Sequence, residues 1–159
     1  MTDPISFAGK HRIHHKYADN EGDVHSPHGG FWFCWFGSLF DDGCTDEEIQ
    51  AMARDLTKFP ELAWLPRFFW VPRVALGAAT YALGVLSMFA IGFCSSRAMI
   101  IHGASAVNYF CHVFGTQRYA TGDKSRDNAL VALLTFGEGW HNNHHHFPAA
   151  ARGILPVGS

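Results

Sequence analysis

From Val74 to Cys94 the chain reads VALGAATYALGVLSMFAIGFC, 21 residues without one charge. At ~1.5 Å rise per residue a helix of that length covers about 30 Å, the hydrocarbon thickness of a bilayer, where a segment must satisfy its own backbone hydrogen bonds. The run is therefore read as a membrane-crossing helix. A second stretch, Ala98 to Gly115 (AMIIHGASAVNYFCHVFG), contains no Asp, Glu, Lys or Arg and follows the short polar break Ser95-Ser96-Arg97. Spans 74–94 and 98–115 predict a helical hairpin turning at that break; the alternative is a hairpin buried inside a soluble protein. Lys58, Arg67 and Arg73 precede the hairpin and Arg118, Lys124 and Arg126 follow it, while only Arg97 sits in the turn. This bias puts both ends on the cytoplasmic side.

Two histidine clusters flank the hairpin, and this orientation places them on one side of the membrane. His11-Arg-Ile-His14-His15 and His141-Asn-Asn-His144-His145 share a spacing that gathers three imidazoles on one face of a helix. Eleven His stand against four scattered Cys (Cys34, Cys44, Cys94, Cys111) with no CxxC pair, which excludes a zinc ribbon or disulfide framework and leaves the cysteines as small apolar residues. Imidazole-rich ligation without thiolate suits iron, copper, nickel or zinc. Within the second stretch His102, Asn108 and His112 are polar at membrane depth, where such groups are functional candidates by default.

His11, His14, His15, His112, His141, His144 and His145 are accordingly read as metal ligands. His25, His28, His102 and His146 lack the repeated spacing and read as neighbours or bystanders. Asn108, one turn before His112, has two readings: it bonds a metal-bound water or a ligand, or it bonds a neighbouring helix. Glu138, between two glycines, and Asn142 are candidates for supporting ligand imidazoles from behind, with plain solvent exposure the alternative for Glu138.

The remaining segments fit a cap at the membrane surface. Phe31 to Phe40 (FWFCWFGSLF) is too short to span as a helix and has headgroup-level aromatic content. Thr45-Asp-Glu-Glu48 is a capping box opening a short helix with Ile49, Met52, Ala53 and Leu56 on one face. Trp64, Phe68, Phe69 and Trp70 interleave with Pro66 and Arg67, as in a chain lying at the interface. A net charge of −2 with no basic tract excludes a nucleic-acid partner.

HRIHHKYADNEGDVHSPH (His11 to His28), NYFCHVFG (Asn108 to Gly115) and SRDNALVALLTFGEGWHNNHHHFP (Ser125 to Pro148) together resemble the membrane fatty acyl desaturases. The likeness is to the stearoyl-CoA type and its bacterial acyl-lipid and acyl-CoA relatives, over roughly residues 3 to 151 in the same order. It implies an all-α membrane helical bundle with a cytoplasmic histidine-box cap, of which this chain carries the second hairpin and most of the cap in a domain at 1–151, followed by a divergent tail at 152–159. It also implies a non-haem centre of two Fe ions, with zinc as a substitute in preparations, on His11, His14, His15, His112, His141, His144 and His145, and a metal-bound water on Asn108.

The implied reaction inserts a cis double bond, at the delta-9 position, into a saturated fatty acyl-CoA or acyl-lipid. It would use O2 and two electrons from a ferredoxin or cytochrome b5-like donor, at the cytoplasmic side of a bacterial inner membrane. The family's first box, HxxxxH, and the two helices before it have no counterpart ahead of His11, and the likeness ends near Arg152, so the sequence is expected to be a fragment. Ser105 stands where the family usually has Trp, and Tyr109 where Ser is common. The alternatives are a related histidine-box hydroxylase and an inactive metal-binding fragment.

Overall fold

Asp3 opens the first helix by accepting from the backbone N–H groups of Ile5 and Ser6, both at 3.0 Å, and so satisfies donors that the helix itself leaves unpaired. The structure is a computed structural model describing residues 3–40 and 43–150. The tail expected at 152–159 lies outside the described residues. In chain order the helices are α1 (Pro4–Tyr17), α2 (Phe31–Trp35), α3 (Asp46–Met52), α4 (Pro60–Ala63), α5 (Leu65–Phe68), α6 (Trp70–Met88), α7 (Ser96–Val113), α8 (Ala129–Leu134) and α9 (His141–His146). Among the described residues the only β pairings are isolated bridges, Thr116 with Asp127 and Asp127 with Trp140. The all-α expectation holds.

Two compact units divide the chain: the described residues up to Arg12 with Cys44–Ile101, and those from Ile13 to Gly43 with those from His102 onward. In the first unit the Thr45 capping box forms as expected, with Thr45 Oγ1 accepting from the Glu48 N–H at 3.3 Å and Glu48 Oε2 accepting from the Thr45 N–H at 2.9 Å. The face it opens is buried at Ile49 and Ala53. Gly9 of α1 lies against the Ile49 carbonyl so closely that a Cβ there would collide with backbone. Arg12 grips the Asp55 carboxylate with both guanidinium nitrogens, at 2.5 and 2.9 Å, and this hydrogen bonding draws the Asp55 pKa down to about 2.

The apolar hairpin turns earlier than expected. Gly84 (φ −156°, ψ 26°) and Val85 (φ 50°, ψ −139°) leave helical geometry inside α6, and the chain reverses there. Beyond the reversal Phe89 and Phe93 pack on Gly77, with nearest atoms 3.4 and 3.7 Å from where its Cβ would stand. Ser95, Ser96 and Arg97 do not break the helix; a π-helical turn over Phe89–Ser95 runs straight into α7. Their hydroxyls explain why: Ser95 Oγ donates to the Ala90 carbonyl at 3.1 Å and Ser96 Oγ to those of Gly92 and Phe93 at 2.6 and 2.9 Å. Serines that read as a polar break in sequence are thus absorbed into the helix. The helical stretch Trp70–Val113 is long and apolar enough to cross a membrane, and only 6% of its most apolar window is buried within the protein. A hairpin filling the core of a soluble protein would be mostly buried.

In the second unit Val107 and Cys111 of α7 pack with Val131 of α8, and Phe110 leans on them. Segment α2 is tied to α7 rather than lying free: the Trp35 indole donates to His102 Nδ1 at 3.1 Å, and Ser105 Oγ donates to the Trp35 carbonyl at 3.0 Å. Trp32, Phe36 and Phe40 remain exposed beside it. Asp127 Oδ1 accepts from the N–H groups of Asn142 and Asn143, at 3.0 and 3.2 Å, and so caps α9 from a distant loop. Gly139, just before α9, sits on the backbone of Ala132, where any side chain would clash.

Candidate metal centre

Three helical segments within the second unit aim four imidazoles at one another. α1 supplies His14, α7 supplies His112, and α9 supplies His141 and His145, one helical turn apart. The side chains of all four are buried, with one potential ligand atom from each lying within 4.8 Å of every other. The Nε2 atoms face inward: His141 to His112 at 3.1 Å, His145 to His141 at 3.0 Å, and His14 to His145 at 3.3 Å. Alongside them His15 Nε2 meets His144 Nε2 at 2.9 Å. His11 occupies α1 one turn before His15, in the part of that helix assigned to the other unit, and stacks on Phe7 with ring centroids 5.9 Å apart.

Behind this set lies a layer of carboxylates. His14 Nδ1 bonds Asp23 Oδ1, His112 Nδ1 bonds Asp19 Oδ2, and His145 Nδ1 bonds Asp123 Oδ2, each at 2.8 Å. An ionised carboxylate only accepts, so in each pair Nδ1 carries the proton, and the neutral ring that binds metal then presents its lone pair at Nε2. Burial raises the pKa of Asp19 and Asp123, but the hydrogen bond from His112 in one case, and those from His145, Ser125 and Thr121 in the other, outweigh it and hold both below the usual carboxylate range. In that neutral form the Nε2 lone pairs of His14 and His145, 3.3 Å apart, face each other with no proton between them. That repulsive geometry is resolved by a cation on which both converge, and the donor set fits one.

The electrostatics agree. Burial, then the neighbouring imidazoles of His145, His112, His14 and His144, push His141 well below the ordinary histidine pKa. Burial and then His145 lower His144 in the same direction. Neutral imidazole is the form that binds metal.

The other sequence candidates fall elsewhere. Asn142 is fully buried and braces the loop over Arg118–Ser125: its Oδ1 accepts from the Arg118 and Tyr119 N–H groups at 2.8 and 2.6 Å, and its Nδ2 donates to the Tyr119 carbonyl at 3.0 Å and to Ser125 Oγ at 3.2 Å. It thereby supports the segment bearing Asp123 rather than touching an imidazole. Glu138 is exposed in the turn before α9, and Asn108 is half-buried on α7, one turn before His112. His146 is exposed and stacks flat on Tyr119 with centroids 4.4 Å apart, and His28 Nε2 meets Lys124 Nζ at 3.0 Å. His25 packs on His14, their ring centroids 4.1 Å apart, which makes it a neighbour of the cluster.

Sequence reasoning missed Asp19, Asp23 and Asp123. The signal available for the first two was their position, four and eight residues beyond His15 in the same segment. Asp123 gave none, since its link to His145 is made by tertiary folding.

Comparison with known proteins bears on which chemistry this centre serves. The fatty acid desaturase family matches residues 1–156. Similar relatives include an icosanoyl-CoA 5-desaturase of Limnanthes douglasii, 38% identical over 153 residues that cover 94% of this chain and 43% of the relative. Another is the sn-1 stearoyl-lipid 9-desaturase of Anabaena variabilis, 36% identical over 149 residues, covering 94% of this chain and 55% of the relative. A chloroplastic palmitoyl-monogalactosyldiacylglycerol delta-7 desaturase of Arabidopsis thaliana is 38% identical, again over 94% of this chain but 41% of the relative. The chain thus spans about half the length of the relatives it matches. Because the family match runs through all three of the segments that deliver histidines to the buried cluster, the chain belongs to the fatty acid desaturase family.

Proposed function

We propose that this chain carries the metal-binding part of a membrane acyl desaturase that inserts a cis double bond, at the delta-9 position, into a saturated acyl-CoA or acyl-lipid. The observation that carries this reading is the convergence of His14, His112, His141 and His145, from three separate segments, with their Nε2 atoms turned to one point. Membership in the family supports an iron centre, with His11, His15 and His144 contributing beside the buried four. Bound iron would supply the dioxygen chemistry, drawing two electrons from a ferredoxin or cytochrome b5-like donor, that takes two hydrogens from an unactivated chain.

The protein's own part is positional. Histidine ligation offers the metal no thiolate to oxidise, and burial of His14, His112 and His141 shields the metal they would hold from bulk water. Carboxylates at Nδ1 hold the ligand rings in orientation. Asn108, half-buried on α7 one turn before His112, would hold a water at the metal. The exposed apolar hairpin would seat the chain in a bacterial inner membrane with the histidines at the cytoplasmic face.

Expression of the gene that encodes this chain in a desaturase-deficient host, followed by fatty-acid analysis, tests the reading. Delta-9 monounsaturated acyl chains are expected. Hydroxylated acyl chains would select the hydroxylase instead, and metal binding without modified lipid would reduce the chain to a metal-binding protein.

A further inference from the structure

We infer that Asp19, Asp23 and Asp123 are positioning residues that set one imidazole tautomer at His14, His112 and His145, and that Asp19 links the three pairs through backbone hydrogen bonds to Asp23 and to Lys124, the residue after Asp123. This rests on the metal-centre reading above. Each pair taken alone is an Nδ1–H···carboxylate contact of 2.8 Å. The remaining carboxylate bonds join them. Asp23 uses its second oxygen, Oδ2, to accept from the Asp19 N–H at 2.8 Å. Asp19 Oδ2, already holding His112, accepts from the Lys124 N–H at 2.7 Å. Lys124 follows Asp123 in the chain, and Asp123 Oδ1 accepts from Thr121 Oγ1 at 2.6 Å and from the Ser125 N–H at 2.9 Å.

The network therefore runs from the segment after α1, through α7, to the loop before α8, and each node orients a ring from a different helix. Asp19 sits at φ 60°, a left-handed conformation that Asp and Asn tolerate better than most residues, so the chain turns there to bring both its carboxylate and its N–H into the network. A free imidazole exchanges its proton between the two nitrogens; a carboxylate at Nδ1 selects one form. The consequence is a site whose Nε2 lone pairs are already aimed inward before a metal arrives, which removes the cost of reorienting rings on binding.

The test uses the full chain, metal-free in detergent micelles, with nitrogen-15-labelled histidine. Long-range proton–nitrogen spectra are expected to show His14, His112 and His145 as the Nδ1–H tautomer. Asp123→Asn should shift His145 alone toward a mixture, and Asp19→Asn, which keeps the left-handed turn, should disturb both His112 and His145. Zinc affinity, read by chelator competition, should fall by about 10- to 100-fold in each Asn variant, while Asp123→Glu, which restores the charge, should recover most of both signals. Tautomers that are mixed in the wild-type chain, or unchanged tautomers and zinc affinity in the Asn variants, would overturn the inference. Wild-type tautomers in place without zinc binding would instead overturn the metal-centre reading.

Discussion

His141 is buried and surrounded by other imidazoles, so its pKa is held well below that of an unfolded histidine. The sign of the stability effect follows. Below the unfolded value of 6.5 the unfolded chain binds a proton that the folded chain refuses, so stability is lost as pH falls. Each such histidine contributes a slope of up to about 1.4 kcal/mol per pH unit. His144 adds to it in the same window. The depressed carboxylates of Asp19 and Asp123 act in another range, since their contribution persists until pH falls through the unfolded value of 3.8. The metal-free chain is therefore expected to lose thermal stability as pH falls through about 6.5 and below; a melting temperature that rose on acidification would mean the imidazoles are charged in the folded state.

Substitution separates ligands from bystanders at the same scale. His14→Ala opens the buried cluster, and His144→Ala removes the partner of His15. Each should abolish measurable iron retention after purification, whereas His146→Ala, losing only an exposed stack on Tyr119, should retain iron within about twofold and cost under ~1 kcal/mol. Equal iron loss in all three would erase the distinction. The clustered histidines were legible because the HxxHH spacing is local and helical. Their carboxylates were not, because an Asp in a polar loop looks solvated until the fold delivers it to an imidazole.

Among the elements, the hairpin shows where local reading failed. Sequence placed the turn at the polar residues Ser95–Arg97, yet hydroxyls that bond back to helix carbonyls cost little inside an apolar helix, whereas Gly84 readily abandons helical geometry. The Thr45 box was read correctly because a capping box is complete within four residues. Val85 bears the strain of the true turn, with φ at 50° and ψ at −139°, a combination that favours glycine strongly over a β-branched residue. Val85→Gly should relieve about 1 kcal/mol of that strain and raise the denaturation midpoint in micelles. A lower midpoint would show that the Val85 side chain stabilises the turn by more than its backbone costs.

At the scale of the whole molecule the early turn changes what lies at which depth. From Val85 to His112 there are 27 residue steps of helix, or about 40 Å at ~1.5 Å each, more than the ~30 Å hydrocarbon thickness. If this stretch crosses a bilayer as proposed, a helix of that length carries His112 past the hydrocarbon, whereas a span at 98–115 would leave it within the bilayer. On the same seating Arg97, about 18 Å beyond Val85 by the same rise, would fall inside the bilayer rather than in a loop. Single cysteines introduced into a chain stripped of its native four distinguish the two arrangements with a membrane-impermeant maleimide on sealed vesicles. Lys58→Cys and Arg118→Cys should label from the cytoplasmic face, Val85→Cys from the opposite face, and Arg97→Cys from neither. Labelling of Arg97→Cys from the face opposite Lys58, with Val85→Cys protected, would restore the later turn and return His112 to membrane depth.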